Sequence, residues 1–523
     1  MNMTLNPLPA GSWTRVHAAH LLARAGFGAS PADIEVCHAR GMEAAVEALF
    51  SPTGEWTGPE APEWVKPGIE ILPDPREIRS LSEEERRKVE MERRREQALQ
   101  MGQLRGWWFD RMRNGPDPLR EKLVLFWHGH FATSVEKVRQ PYALYLQNRL
   151  FRERALGSWR EFIVAVSKDP AMLIYLDNAR SRAGNPNENY ARELLELFTL
   201  GEGNYTEDDV KAAARALTGH GLARGRMAYE YRARNHDGSE KTFLGRTGKL
   251  GLEEIADQIL AQPVAARFIT GKLWMFFAGT APGPELAEAL ASSFTRHQGE
   301  FRPFLREMFR SEAFYAREVV SAQVKSPVQW LVGMARELEA PLPHPAICAS
   351  VTRLLGQDLF APPNVKGWDG GIAWITTANL IHRYQLAGAF LKGGTEWRDA
   401  GNMLRRAVLE TAAGMKPDGE GMMKEGENGG TRSSEATLMV EVRKLAKSTV
   451  DPSRLVPPAA ERGSREEMLR LLLERLYPTG LPEKIRAEFA TQAAAWAEPK
   501  QWTEREIRDV CHRLMSTPYY QLT

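Results

Sequence analysis

Only one stretch of this chain alternates apolar and polar side chains with the period of a β-strand. It runs from Met227 to Arg234, where Tyr229, Tyr231 and Ala233 alternate with Glu230, Arg232 and Arg234. Elsewhere apolar residues recur at helical spacing, as in HAAHLLARAGF (17–27) and in LREKLVLFWHGHF (119–131), which ends in aromatics. A chain with a single strand signal cannot build its core from sheets. The expected fold is therefore mainly α: a large multi-helix globular domain with a small β-hairpin excursion near 227–245. Asp237-Gly238 supplies the hairpin-type turn and Thr242-Phe243-Leu244 the returning strand.

Helix starts carry their own signals. Ser30-Pro31-Ala32-Asp33 places an N-cap, a proline at the first helical position and a capping-box acid in order. Thr206 and Asp209 repeat the arrangement before a helix expected over 207–217, which follows one expected over 187–200. Residues 83–97 mix both charge signs on a strong helix former, as a solvated helix laced with i,i+4 pairs does. Residues 51–75, rich in Pro, Gly and Trp, read as an ordered loop or linker. The segment 414–435 lacks apolar periodicity and reads as a flexible Gly/polar linker or loop. It divides a main helical domain, 1–413, from a C-terminal helical segment, 436–523, expected to pack on it.

Composition narrows the function classes. Lys+Arg number 69 against Asp+Glu 67, a formal net charge of +2, so no bulk electrostatic attraction favours nucleic acid or anionic membrane. Three scattered cysteines (Cys37, Cys348, Cys511) make neither a disulfide framework nor a Cys-rich zinc site. No apolar run approaches the ~18 residues of a membrane span. Met1 to Thr14 holds no apolar run behind a basic start, so a cytoplasmic location is the expectation.

Six motifs occur in order: HLLARAGFGASPADIE (20–35), LREKLVLFWHGHFATS (119–134), NENYARELLELFTLGEGNYTEDDVKAAARALTGH (187–220), NHDGSEKTFLG (235–245), KSPVQWLV (325–332) and PPNVKGWDGGIAWI (362–375). Together they resemble the bacterial family known as domain of unknown function 1800, and the terminal STPYYQL (516–522) fits its usual close. The resemblance implies a largely α-helical protein of no settled activity. It also implies a partner, because genes of this family often neighbour those of a second uncharacterised family with a sulfatase- or phosphatase-like fold.

Three constellations are candidates for chemistry. Asn189, Arg192, Glu193 and Glu196 fall at i, i+3, i+4 and i+7 and share one helical face. Glu193 and Glu196 can act as an acid–base pair or as metal ligands, with Arg192 holding an anionic group; the bland alternative is a solvated face with Arg192 paired to Glu196. His128-Gly129-His130 could join them on a divalent metal, but two helical residues i and i+2 point about 200° apart. Such convergence requires the helix to end near Gly129. Third, His236 and Lys241 flank the Asp237-Gly238 turn, as a general base with an anion contact or as plain turn residues. Trp107-Trp108, Trp368 and Trp374 are expected in the core rather than in a groove. Two functions remain: a metal-assisted or acid–base hydrolase-like enzyme with an interior Glu/His/Arg site, or a non-catalytic binding or maturation partner of the sulfatase/phosphatase-like protein.

Overall fold

The helix Pro118–His130 is buried along nearly its whole circumference: Leu119, Leu123, Val124, Phe126 and Trp127 are enclosed, and so are Glu121, Lys122, His128 and His130. A helix buried on nearly all its faces belongs in a core. In this computed structural model, which describes residues 5–51, 57–72, 75–414, 429–444 and 450–523, the helices Arg15–Ala25, Met42–Phe50, Glu83–Asn114 and Pro141–Arg154 pack against that pillar. The chain is mainly α, with two small two-stranded antiparallel sheets among the described residues.

Local signals explain many of the boundaries. Ser30 and Asp33 form the capping box of Pro31–Ala39, and Thr206 and Asp209 that of Glu207–Ala216. The charged stretch forms the exposed start of the long helix Glu83–Asn114, with Arg87–Glu83 and Arg94–Glu90 pairs at 2.7 Å. Its second half turns inward through Leu104, Trp108 and Met112.

The β excursion falls where the sequence places it, but its strands pair differently. Tyr229–Tyr231 pairs not with 242–244 but with His220–Leu222, in the register His220↔Tyr231. Lys241–Phe243 instead pairs with Arg246–Gly248. The reason is local. Leu244 and Gly245, at φ 44° and 82°, form the tight two-residue turn, whereas Ala233–Asn235 coils as a 3-10 turn and breaks the first strand. Asp237-Gly238 is a loop lock rather than a hairpin turn.

The segment 414–435 is largely helical where it is described. Gly394–Gly414 ends at its first residue, and Gly429–Lys444 begins inside it; 415–428 lie outside the described residues. In the 51–75 region, Trp64, Val65 and Leu72 pack against the core, and the Met227 amide donates to the Glu70 carbonyl at 2.6 Å.

The C-terminal helices Arg465–Leu476, Glu483–Ala493 and Glu504–Met515 pack onto the rest, and the chain then runs back into the N-terminal core. Val324 bridges Leu522, and the buried Arg24 guanidinium donates to the carbonyls of Phe277, Val319 and Thr523. Lys325 meets Glu337 at 3.1 Å, and the Tyr520 hydroxyl donates to the same carboxylate at 2.6 Å. Three of the sequence motifs thus meet at one buried junction.

Glu121 shows how the pillar is anchored. Its carboxylate accepts from Arg152 at 2.6 and 2.8 Å, from Arg111 at 3.2 Å and from the Trp108 indole at 3.1 Å. Burial alone would raise its pKa, but Arg152 and Arg111 outweigh burial and hold it below the ordinary value. A group depressed on folding stabilises above its unfolded pKa, and that contribution fades as pH falls through the folded one. Glu121→Ala removes the buried carboxylate that Arg111 and Arg152 share and is expected to cost about 3–5 kcal/mol in urea unfolding at pH 7. The deficit relative to the unaltered protein should shrink as the pH is lowered through the carboxylate range. A loss below ~1 kcal/mol would mean that this cluster does not anchor the helix.

Candidate active site

The segment that carries the two glutamates is not a uniform α-helix. Asn187 caps it by accepting from the Asn189 amide at 2.9 Å, and Glu188–Glu193 is α-helical. From Leu194 to Thr199 the turn widens to π-helix, and the amides of Leu200 and Gly201 both reach back to the Leu195 carbonyl. Single π turns inside helices often mark functional sites. The end leaves the carbonyls of Leu197 and Phe198 pointing inward, and both are met by cationic or N–H donors. Lys272 Nζ donates to Leu197 at 3.1 Å, and His130 Nε2 lies 3.0 Å from the Phe198 oxygen.

Facing a carbonyl, His130 Nε2 must carry the proton, so Nδ1 is free to accept from Lys272 Nζ at 3.3 Å. Burial, with Lys272 adding to it, pushes His130 well below the ordinary histidine value; burial also lowers Lys272 to about 8. His128 has the opposite tautomer. Its Nε2 accepts from the Phe360 amide at 2.9 Å, and burial together with Arg105 lowers it to about 3. The two rings therefore pin different segments, one the end of the glutamate helix and the other the approach to the PPNVKGWDGG loop. Gly367 in that loop, at φ +83°, lies so close to Gly129 that a Cβ would sit 2.2 Å from the Gly129 oxygen. The helix runs through His130, so the rings diverge.

The metal expectation finds no ready-made cluster among the described residues. His128, His130, Glu193 and Glu196 are not gathered around one point, and among the described residues no group of three or more His, Cys, Asp or Glu is placed to hold an ion. The Nε2 atoms of the two histidines are engaged with the Phe360 amide and the Phe198 carbonyl.

The glutamates themselves are half-buried and differ in surroundings. Glu196 Oε2 accepts from the Tyr205 hydroxyl at 2.8 Å, and burial and that carboxylate push Tyr205 up to about 12. Glu193 is raised by burial and by the Glu196 charge, with Arg192 and Lys366 opposing. Arg192 is not paired with Glu196: it grips Glu207 with both terminal nitrogens, at 2.6 and 2.8 Å, and approaches Glu188 at 3.7 Å. Its charge is spent on holding the next helix, which leaves it poorly placed to capture an anion. Asn189 is exposed at the rim.

His236 and Lys241 belong to a separate, closed network. Lys241 Nζ donates to the carbonyls of Asp237 and Ser239 at 2.5 and 2.8 Å, and burial lowers its pKa. Asp237 pairs with Arg215 at 2.8 Å, and His236 Nδ1 lies 3.1 Å from the Thr218 carbonyl. These contacts satisfy a tight turn. Trp107, Trp108 and Trp374 are buried in the core, while Trp368 lies half-buried against the His128 ring. Sequence reasoning passed over Tyr205, Lys272 and Lys366; Tyr205 and Lys366 stand inside quoted motifs, but nothing in their spacing shows that a turn and a distant loop meet the glutamates.

A helical scaffold with a two-carboxylate polar site defines a class only loosely, and comparison with known proteins makes it specific. The family model described as "Protein of unknown function (DUF1800)" matches residues 20–522, nearly the whole chain, and the protein belongs to that family. No curated protein and no solved structure matches it. No helix among the described residues is long and apolar enough to cross a membrane.

Replacing His130 by Phe keeps a ring in the core but strands the Phe198 carbonyl and one Lys272 contact. The expected loss is ~1–3 kcal/mol of unfolding free energy, with the helical circular dichroism retained. Equilibrium dialysis against zinc should show no stoichiometric binding to either form. Zinc held by the unaltered protein and lost from the Phe variant would reinstate the metal reading.

Proposed function

We propose that the protein is an acid–base, hydrolase-like enzyme in which Glu193 and Glu196 act as a pair. The observation that carries this reading is the contrast between two carboxyl groups on one distorted turn. Glu193 is half-buried beside a like charge and is pushed towards its protonated form, while Glu196 is held by a tyrosine hydroxyl. Pairs whose environments differ in this way sort into acid and base. Glu196 takes a proton from water as the water oxygen bonds to the electrophilic centre. Glu193 gives its proton to the departing oxygen as that bond breaks, and proton exchange with solvent resets both groups. Tyr205 orients Glu196, and Lys366 offers compensating charge near Glu193. Arg192, His236 and Lys241 keep structural roles in this reading.

The test is turnover of p-nitrophenyl esters, phosphates and glycosides by the purified chain. One class should be hydrolysed with a rate that falls on the alkaline side as Glu193 loses its proton. Glu193→Gln and Glu196→Gln should each lower kcat by ~100-fold or more. Glu193→Gln should also leave stability unchanged or slightly raised at pH 8, because it removes a charge that burial and Glu196 disfavour. Turnover of no class, or full turnover by both variants, would overturn the proposal and favour a non-catalytic partner role.

A further inference from the structure

A cavity of about 390 Å³ opens between the N-terminal helix Arg15–Ala25 and the C-terminal pair Arg465–Leu476 and Glu483–Ala493. Its size falls in the ~300–1,000 Å³ range of small-molecule sites. The floor is apolar, formed by Leu469, Leu473, Tyr477, Leu481 and Ala493, with the exposed Val16 across from them. None of these residues belongs to the glutamate site.

The charges at the rim are unequal in their commitments. Arg15 is paired with Glu35, and Arg470 with Glu474 at 2.7 Å. Glu466 is engaged at the start of its own helix with Ser464. Arg486 is the exception: it lines the cavity, is exposed, and has no carboxylate partner among the described residues. A second cavity of about 200 Å³ shares Tyr477, Pro478, Gly480 and Leu481 with the first and reaches Lys325 and Glu337. Those two inner charges already neutralise each other at 3.1 Å, so an incoming ionic head finds its free counter-charge only at the rim.

An apolar slot with one uncommitted guanidinium at its edge matches one ligand chemistry. We propose that it binds a single-chain amphipathic carboxylate, a medium-chain fatty acid, with the chain on Leu469, Leu473 and Tyr477 and the head group on Arg486. Each methylene buried strengthens binding, and guanidinium is the cation best shaped for a planar carboxylate.

Calorimetric titration of the full chain with decanoate tests this, with decanol and decylammonium as head-group controls. Decanoate should bind saturably at one per chain, more tightly than decylammonium. Arg486→Ala, an exposed change, should weaken decanoate by ~10-fold or more and leave decanol unaffected. Ala490→Trp, which fills the cavity from an exposed position on the rim, should abolish both. The proposal is overturned by non-saturable decanoate binding, by equal affinity for decylammonium, or by an Arg486→Ala protein that binds decanoate as the parent does.

Discussion

The helix Pro118–His130 is enclosed on every side, and four of its enclosed side chains are polar. A buried polar group without a partner costs more than most hydrophobic contacts return, so each of the four dictates where another part of the chain must lie. Glu121 draws in Arg111 and Arg152. Lys122 Nζ donates to the Gly26 carbonyl at 2.8 Å and lies over the Phe27 ring, which fixes the turn after the first long helix. His128 takes the Phe360 amide, and His130 the Phe198 carbonyl. Apolar packing alone would tolerate many arrangements of these segments; the polar contacts admit few.

The candidate site follows from that geometry. The π turn Leu194–Thr199 widens the helix between Glu193 and Glu196, and its inward carbonyls are held by Lys272 and His130. On the far side of the same helix end, His128 and the close approach of Gly367 to Gly129 bring the loop that carries Lys366. Glu193 feels both Glu196 and Lys366 because two histidines two residues apart point to opposite sides. The His-x-His motif works as a two-sided clamp. Rigid support of this kind is what a pair of acid–base groups requires if its protonation states are to stay distinct.

Much of this architecture was legible in the sequence. The helical periodicity, the Ser30/Asp33 and Thr206/Asp209 capping boxes and the paired charges of 83–97 are local properties, set by residues three or four apart. Two helix ends, at 306–315 and 512–520, share a local pattern as well: each is followed by a capped 3-10 turn, Glu312–Tyr315 after Ser311 and Pro518–Gln521 after Thr517. What could not be read were features decided by distant partners. Strand Tyr229–Tyr231 pairs upstream rather than downstream, because Leu244-Gly245 claims the later hairpin. The i,i+4 spacing suggested Arg192 with Glu196, yet Glu207 on the next helix takes the arginine, and Tyr205 takes the glutamate. The identity of the site's neighbours depends on how helices stack, and no periodicity encodes that.

The clamp is tested most directly by the protonation of its two rings. In protein labelled with 15N-histidine, with His128→Gln and His130→Gln used for assignment, long-range 1H–15N spectra report which nitrogen carries the proton. The account predicts Nδ1–H for His128 and Nε2–H for His130, with neither ring titrating between pH 5 and 8 and neither responding to added zinc. Protonation of either ring near pH 6.5, or a zinc-dependent shift of both, would contradict it.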